Sequence, residues 1–369
     1  MKRFAELVGQ EDVKKKLGFY LDAFSKTQKF PFLLLTGAKG MGKTEFAKET
    51  ARGINAKDGA PRSFLEINCG TIKNAQVFFE QVFAPVIQGN EVTVLLDECH
   101  ALPKDLMTVL LSAFNTEKAD VKQITWRDGM YEFNFKLQSF MLATTEADKL
   151  FAPLKDRLTP VDFQPYTVSD VAKIVEKMLP DITFKGDVLE KIASTVRGNA
   201  RSSVQRAKQI ELYCETKAIK EFGVKEWTDL CNKIGINASG LNNTEIQILR
   251  ALKDRGDCSL NMLSAITGMS RSSLQRDAEI FLLQKGYMKI EGSRKLTAAG
   301  SKVLENLQKK AWQMKHKVAI WIEGGMIQGI RSSVDIDIEI IDVDWGGTDR
   351  EIAEQKWEQY QTELPFNTY

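Results

Sequence analysis

The residues with the clearest chemical role lie in a glycine-rich stretch near the start of the chain, GAKGMGKT at positions 37–44. An apolar run precedes it and a helical pattern follows it, which is the strand–loop–helix context that a phosphate-binding loop requires. Glycines let the backbone turn tightly, so that successive N–H groups face phosphate oxygens. Lys43 is expected to reach the β- and γ-phosphates, and the Thr44 hydroxyl to bind Mg²⁺. The stretch and the residue that follows it predict ATP binding through Gly40, Met41, Gly42, Lys43, Thr44 and Glu45.

A second motif, VTVLLDE at positions 92–98, is an apolar strand pattern that ends in two carboxylates. In phosphoryl transfer the protein mainly positions groups and neutralises charge. We therefore assign Asp97 to Mg²⁺ and Glu98 to the attacking water. By itself this ending also fits a solvated strand end, but its occurrence after a phosphate-binding loop favours ATP hydrolysis.

Two further polar features follow. FMLATT at positions 140–145 ends in two hydroxyls, and Thr145, rather than Thr144, is predicted to contact the γ-phosphate or the attacking water. The alternative is a threonine that packs at the end of a strand. His100, just after the carboxylate pair, is interpreted as a hydrogen-bonded structural residue rather than a catalytic one.

Two arginines follow the last predicted core strand. Arg157, in PLKDR, is placed so that it would project toward a neighbouring subunit's nucleotide and stabilise charge on the transferred phosphoryl group. Arg201, in VRGNAR, lies at a predicted helix start, where it would reach the nucleotide's phosphates. Since the chain has 51 lysines and arginines, each also fits an ordinary surface residue.

The elements that must position these residues alternate between strands and helices, which predicts a parallel sheet with ligands at the carboxyl ends of its strands. Between two core strands lies ITWRDGMYEFNF at positions 124–135, where Asp128–Gly129 predicts a hairpin turn. We expect this hairpin to protrude and to meet a substrate or partner. The alternative is a hairpin without a function.

Composition sets limits on the class of protein. A chain of 369 residues predicts two or three domains, and its net charge of +2 means that any nucleic-acid-binding surface must be local. Five cysteines without C-x-x-C spacing predict reduced thiols in a cytoplasmic protein, and argue against zinc or disulfides. Neither a signal peptide nor a membrane-spanning segment is expected.

With these motifs in order, the chain resembles the RuvB family of AAA+ ATPases over roughly residues 3–308. The resemblance is carried by the two nucleotide motifs and by FAELVGQEDVKKKL, DECHAL, LATTEADKLFAPLKDRL, QPYT, RGNAR and EIFLLQKGYMKI. It implies an AAA+ nucleotide-binding domain at 1–164, a helical lid at 165–238 and a winged-helix domain at 239–310. It also implies a hexameric ring that works on double-stranded DNA.

The resemblance also implies roles for individual residues. Val8, Gly9 and Tyr166 are expected to contact the nucleotide. Thr145 resembles the sensor 1 residue, Arg157 the arginine finger that acts in a neighbouring subunit, and Arg201 the sensor 2 arginine.

The chain departs from the family pattern in several places. The phosphate-binding loop lacks the two usual prolines, and Lys155 and Leu158 replace the usual arginine and phenylalanine. The hairpin has a different, aromatic-rich sequence, and the basic R-T-x-R-G-R wing is absent. These departures predict a divergent relative rather than a housekeeping motor.

The region after the lid predicts a winged helix. Residues 222–240 contain several glycines and are predicted to be a linker. A capping box at Thr244–Gln247, a helix stop at Gly268, a helix start at Ser270 and a hairpin over residues 287–297 follow. The predicted DNA contacts are Arg271 and Arg276 on the third helix, and Arg294 and Lys295 in the wing. The alternative is a winged helix that contacts protein.

The resemblance ends before the last part of the chain, residues 311–369. Alternating apolar residues predict strands near 318–322 and 336–340, joined by GGMIQGIRSSV, and Thr348 is predicted to start a last helix. This pattern predicts a small α/β module. Either this module or the hairpin at 124–135 is a candidate site for an adaptor protein.

The leading prediction is an ATPase that uses ATP and Mg²⁺ to drive a ring-forming motor along double-stranded or junction DNA. The alternative is an ATP-dependent switch with slow turnover, which acts as a loader or regulator in recombination, transposition or phage defence. A third, weaker interpretation is a protein-remodelling ATPase, which the predicted winged helix disfavours.

Overall fold

Strands and helices alternate through the first part of the chain. The elements are α1 (Glu11–Thr27), β1 (Leu33–Thr36), α2 (Lys43–Arg52), β2 (Ser63–Asn68), α3 (Ala75–Phe78), β3 (Val92–Asp97), α4 (Lys104–Ala113), β4 (Val121–Trp126), β5 (Gly129–Asn134), β6 (Gln138–Thr144), α5 (Ala152–Lys155) and β7 (Thr159–Asp162). The structure, a computed structural model, describes residues 3–115, 120–236, 240–315, 318–323 and 326–332. It divides into two units, Met1–Asn243 and Thr244–Tyr369.

Five of these strands form one sheet in the order β2-β3-β6-β1-β7, and all neighbours are parallel. This confirms the predicted α/β class with a parallel sheet. Since all strands run the same way, their carboxyl ends lie at one edge. The segments after β1, β3 and β6 at that edge contain the predicted nucleotide motifs.

The sheet is buried on both faces, which explains the continuous apolar runs of its strands. Along β1, Leu34 packs into one core, and Leu33 and Leu35 pack into the other. Residues of α3 and α4 belong to the first core, and residues of α1 and α2 to the second. After α3 the chain continues as a π-helix over Phe79–Ile87, which contains Pro85.

β4 and β5 form a separate two-stranded hairpin. Its last pair is Trp126 with Gly129, so the turn consists of Arg127 and Asp128, one residue earlier than predicted. Arg127 adopts a left-handed φ of 53°. Gly129 pairs within the strand instead of forming the turn.

One face of this hairpin packs against the core of the nucleotide domain, so the expectation that it protrudes is wrong for that face. Phe133 is fully buried, and the Tyr131 ring stacks on Phe79 of the π-helix with centroids 4.3 Å apart. Aromatic residues thus dock the hairpin on the domain. The opposite face is open, and Met130 there is 66% exposed.

The helical lid contains α6 (Val168–Met178), α7 (Val188–Thr195), α8 (Ala200–Lys217) and α9 (Val224–Lys233), with the short strands β8 (Thr183–Phe184) and β9 (Glu221–Phe222). The prediction of a linker over residues 222–240 is wrong for its first half, because α9 occupies it. Trp227, Leu230 and Cys231 are buried in the core of the lid. Their spacing follows one face of a helix, and this outweighs the flanking glycines.

The second unit contains α10 (Asn243–Arg255), α11 (Leu260–Thr267), α12 (Arg271–Ser273), a π-helix over Leu274–Glu279, α13 (Ile280–Gln284), β10 (Met288–Glu291), β11 (Ser293–Leu296) and α14 (Ala298–Lys315). The helix stop at Gly268 and the helix start at Ser270 are confirmed. β10 and β11 pair as the predicted hairpin. The capping box is misplaced, because α10 begins at Asn243 and Thr244 lies inside it.

The last described elements are β12 (Val318–Glu323) and β13 (Met326–Ser332), which pair in antiparallel fashion. The glycine-rich segment predicted as a connection therefore forms a strand over Met326–Ser332. The strand predicted at 336–340 and the helix predicted from Thr348 lie outside the described residues. α14 continues through position 310, where we expected a domain boundary.

None of the helices in the described part of the chain combines the length and the apolar character needed to span a bilayer.

Candidate nucleotide site and nucleic-acid interface

The phosphate-binding loop joins β1 to α2, and its shape depends on close contact with the lid. At Gly42, a Cβ atom would lie 2.8 Å from the Tyr166 hydroxyl, so no larger residue fits. Lys43 begins α2 and is only 7% exposed. Its Nζ donates hydrogen bonds to the carbonyls of Gly37 and Ala38 at 2.7 and 3.0 Å. The ammonium group is thus held inside the loop.

The two carboxylates of the second motif lie where β3 ends. Asp97 is the last residue of that strand, and Glu98 follows with a φ of 52°, which is uncommon for a residue with a side chain. Glu98 Oε2 accepts hydrogen bonds from Thr145 Oγ1 at 3.1 Å and from Thr145 N at 3.4 Å. The structure therefore brings together the predicted base and the predicted γ-phosphate contact.

His100 lies beside this pair. Its Nδ1 is 2.9 Å from Thr144 Oγ1 and 3.4 Å from Glu98 Oε2. Its Nε2 is 3.1 Å from Glu146 Oε2. The histidine is hydrogen-bonded, as we interpreted it, and it bridges two carboxylates. The Thr144 hydroxyl therefore contacts His100, whereas the Thr145 hydroxyl contacts Glu98.

Burial and neighbouring charges shift two pKa values at this edge of the sheet. Burial lowers the pKa of Lys43, and Arg201 lowers it further, whereas Glu98 and Asp97 oppose the change. Burial also raises the pKa of Asp97, and the carboxylates of Glu98 and Glu66 add to this effect. The Lys43 ammonium and the Glu98 backbone N–H oppose it. The perturbed pair marks a candidate functional site.

The residues present fit a nucleotide-bound Mg²⁺. Within the described ranges, no group of three or more His, Cys, Asp and Glu side chains is arranged to hold a metal ion. Mg²⁺ in nucleotide sites needs no such group, because one or two protein oxygens and the phosphates suffice. Thr44, next to Lys43, and Asp97 supply a hydroxyl and a carboxylate, which are ligands of the required hard-oxygen type.

The turn before α1 meets the start of the lid. Gln10 makes two hydrogen bonds with the backbone of Gln164, at 2.5 and 3.1 Å. A Cβ atom at Gly9, the neighbour of Val8, would lie 3.0 Å from the Tyr166 ring. A cavity of about 230 Å³ lies between this turn and the first residues of α6, and Gly9 and Tyr166 line it. This cavity has room for part of a nucleotide.

Tyr166 reaches from the lid to the phosphate-binding loop. Its hydroxyl donates to the Met41 carbonyl at 3.1 Å. Burial raises the pKa of Tyr166 to about 12, so the hydroxyl stays protonated at neutral pH. A hydrogen bond from Tyr166 N to the Gly198 carbonyl links the two lid segments QPYT and RGNAR.

The remaining predicted nucleotide contacts are more exposed. Arg201 lies in the first turn of α8, and its charge acts on Lys43. Glu45 lies in the first turn of α2 and forms an ion pair with Lys48. Arg157 is exposed on the turn after α5, and the hydrogen bonds and ion pairs found within the described ranges do not include its side chain.

The winged helix presents fewer free charges than predicted. Arg294 forms a bidentate ion pair with Glu279, at 2.7 and 3.1 Å, and the two side chains are 12% and 4% exposed. Lys295 lies 3.4 Å from Asp257 and 3.7 Å from Glu291. Arg294 therefore stabilises the fold, and we no longer assign it to phosphate.

The third helix of the winged helix, which runs from α12 through the π-helix to α13, remains the better candidate for the DNA interface. Arg271 is exposed in α12, and its guanidinium lies 3.3 Å from the Asn261 side chain. Arg276 is also exposed, on the π-helix that follows. The apolar residues on the inner side of this helix, Leu274, Ala278, Phe281 and Leu282, are buried.

Comparison with known proteins gives matches over both units. Residues 1–162 match the family model of the Holliday junction DNA helicase RuvB P-loop domain, and residues 238–305 match that of the RuvB C-terminal winged helix domain. The RuvB subunit of the Holliday junction branch migration complex from Oenococcus oeni is 27% identical over 300 residues, covering 78% of this chain and 85% of that protein. The Thermotoga maritima protein is 26% identical over 298 residues, covering 78% and 86%.

The chain is a divergent RuvB-type AAA+ ATPase. Its fold resembles the solved structure of the Thermotoga maritima RuvB Holliday junction branch migration motor, with a TM-score of 0.66 and 24% identity. That match covers 83% of this chain and 97% of the other. The AAA+ fold with a helical lid and a winged helix is thereby confirmed.

Three contacts in this RuvB-type chain, two at the nucleotide site and one in the winged helix, were not predicted from the sequence. Glu146 joins the His100 network, Asn199 contacts the phosphate-binding loop, and Glu279 neutralises Arg294. Of these, only Asn199 had a local signal, because asparagine before a helical pattern is a typical N-cap. The other two depend on pairings between distant elements.

Proposed function

We propose that this RuvB-type chain is an ATP-driven, ring-forming motor that moves double-stranded or junction DNA. The supporting observation is the convergence of Lys43, Asp97, Glu98 and Thr145 at one edge of a parallel sheet, in a chain that also carries a winged helix. The relatives with the same two domains are Holliday junction branch migration subunits.

At the nucleotide, each residue has a distinct proposed role. Lys43 neutralises charge on the β- and γ-phosphates, and Glu98 orients and deprotonates the attacking water. Thr145 releases Glu98 when its hydroxyl turns to the γ-phosphate. A bound Mg²⁺, held by Thr44 and Asp97, would supply positive charge to the phosphate oxygens.

The proposed active unit is a ring of six subunits. Arg157 is exposed at the edge of the nucleotide domain, so it is available to a neighbouring subunit's ATP. An arginine supplied in this way stabilises charge in the transition state. Val8, Gly9, Tyr166 and Arg201 are proposed to hold the nucleotide from the same subunit.

DNA is proposed to bind at the third helix of the winged helix, mainly through phosphate contacts. The main candidates are Arg271 and Arg276, because both are exposed on this helix, whereas Arg294 lies in a largely buried ion pair. We also propose a cytoplasmic location and an adaptor protein bound at the open face of the 124–135 hairpin or at the C-terminal module.

ATPase activity should be measured with no DNA, with duplex DNA and with a four-way junction, and strand exchange should be followed on a labelled junction. A motor requires DNA-stimulated turnover and ATP-dependent branch movement. ATP turnover that is slow and unchanged by DNA, without branch movement, would contradict the motor and support the ATP-dependent switch.

A further inference from the structure

Three successive carbonyls of the phosphate-binding loop accept hydrogen bonds from the helical lid. Asn199 Nδ2 donates to Lys39 O at 2.7 Å, Ala200 N donates to Gly40 O at 3.0 Å, and Tyr166 Oη donates to Met41 O at 3.1 Å. Because three successive carbonyls are hydrogen-bonded in this way, the lid helps to set the shape of the loop.

Asn199 has two separate tasks at this contact. Its Oδ1 accepts from Ser202 N at 3.2 Å, which caps the start of α8. Its amide group points to the loop and makes the bond with Lys39 O. A Cβ atom at Gly40 would lie 2.1 Å from Asn199 Oδ1, so the loop and this side chain fit only because position 40 is glycine.

The helix that Asn199 caps also carries Arg201, in its first turn. The position of that guanidinium relative to the phosphates depends on where α8 begins. The hydrogen bonds from Asn199 and Ala200 to the loop carbonyls hold the start of α8 next to the phosphate-binding loop.

We propose that Asn199 is a positioning residue, which ties the start of α8 to the phosphate-binding loop and so places Arg201 at the ATP phosphates. This inference rests on the proposed ATP hydrolysis. It assigns to the Asn199 amide a task that a helix cap alone does not require.

Two substitutions separate these tasks. Asn199→Asp and Asn199→Ser keep an oxygen that caps α8, but both lose the amide donor to Lys39 O. Asn74→Asp is the matched control, because Asn74 is exposed and caps α3 by accepting from Val77 N at 2.9 Å. The control changes the same group at the cap of a different helix, where Asn74 contacts Val77 N.

The expected result is a threefold to tenfold fall in kcat for both Asn199 variants, roughly the effect of one lost hydrogen bond. Their melting temperatures should match that of Asn74→Asp, and the Asn74 variant should turn over ATP at the parent rate. Unchanged kcat in both Asn199 variants would overturn the proposal. A fall in Asn199→Asp alone would also overturn it, since that effect belongs to the new charge.

A double-mutant cycle on ATP affinity tests whether Asn199 acts through Arg201. In a Glu98→Gln background, ATP affinity is measured for Asn199→Ser, Arg201→Ala and the double variant, so that no turnover is needed. Both single variants should bind ATP more weakly, and the double variant should bind about as weakly as Arg201→Ala. Additive losses, or no loss from Arg201→Ala, would refute the positioning role. The motor proposal fails separately, if the unmodified protein does not hydrolyse ATP.

Discussion

Glu98, the proposed catalytic base, contacts two neighbouring side chains. Its Oε2 accepts from Thr145 and lies 3.4 Å from His100 Nδ1. Lys43, in contrast, is buried, and its ammonium group donates hydrogen bonds to carbonyls of the phosphate-binding loop. The proposed base and the proposed phosphate-binding cation therefore have different hydrogen-bond partners.

Glu98→Gln should bind ATP but hydrolyse it very slowly, because the phosphate-binding loop and the Mg²⁺ ligands remain while water activation is lost. Single-turnover hydrolysis and retention of labelled ATP after gel filtration measure this. Lys43→Ala is the comparison variant, and it should fail to bind ATP. Hydrolysis by Glu98→Gln at the parent rate would show that the base has been assigned to the wrong residue.

At the scale of elements, the winged helix depends on an ion pair that crosses from β11 to the third helix. Arg294 and Glu279 are both largely buried, and each leaves an uncompensated charge if the other is removed. The pair also fixes the wing against the helix that is proposed to contact DNA. The wing is thus a structural support for that helix.

Arg294→Ala should lower the free energy of unfolding of the winged helix by about 3–5 kcal/mol, because the Glu279 carboxylate stays buried without a partner. Urea unfolding followed by circular dichroism measures the change. The double variant Arg294→Met with Glu279→Leu should recover most of the loss. If Arg294→Ala unfolds like the parent but binds DNA much more weakly, Arg294 contacts phosphate after all.

Arg271→Ala should weaken DNA binding and reduce the slope of log K against log salt by about one, as expected for one lost phosphate contact. Lys295→Ala is the control, and it should have a smaller effect because Asp257 and Glu291 already lie near that ammonium. Fluorescence anisotropy on a duplex over a salt series gives both slopes. An unchanged slope for Arg271→Ala would favour a winged helix that contacts protein.

For the whole molecule, the proposed motor needs a second copy of the chain at each active site. The residues proposed to hold the nucleotide all lie in the unit Met1–Asn243, where Arg157 is exposed. ATP hydrolysis should therefore depend on assembly.

Arg157→Ala should bind ATP normally but hydrolyse it roughly a thousandfold or more slowly, because transition-state charge loses its arginine. Mixing it with Lys43→Ala should restore part of the activity, since hybrid interfaces combine an intact loop with an intact arginine. Steady-state ATPase rates across mixing ratios measure the rescue. Full activity in a fraction shown to be monomeric would disprove the shared site.

Removal of residues 316–369 should leave ATPase activity, assembly and DNA binding unchanged, because α14 ends at Lys315 and the winged helix precedes it. Residues 335–363 carry ten acidic and two basic side chains, which suits a basic protein partner better than DNA. Affinity purification with and without the segment should show loss of that partner. Tighter DNA binding after truncation would instead identify the segment as an autoinhibitor.

The sequence by itself determined the phosphate-binding loop, the Asp97–Glu98 pair, the parallel sheet and the wing hairpin. The two motifs and the hairpin depend on spacing within a short stretch, whereas the sheet follows from the alternation of strands and helices along the domain. The spacing of Trp227 and Leu230 also favours helix α9, although the glycines that flank it are typical of a linker.

Only the tertiary structure decided which charges are free and which surfaces are open. The pairing of Arg294 with Glu279, the docking of Tyr131 on Phe79 and the bond from Asn199 to the loop each join residues from different elements. Side-chain type shows what such residues can bind, but the partner depends on which elements the fold brings into contact. For that reason an arginine predicted for phosphate became a core ion pair.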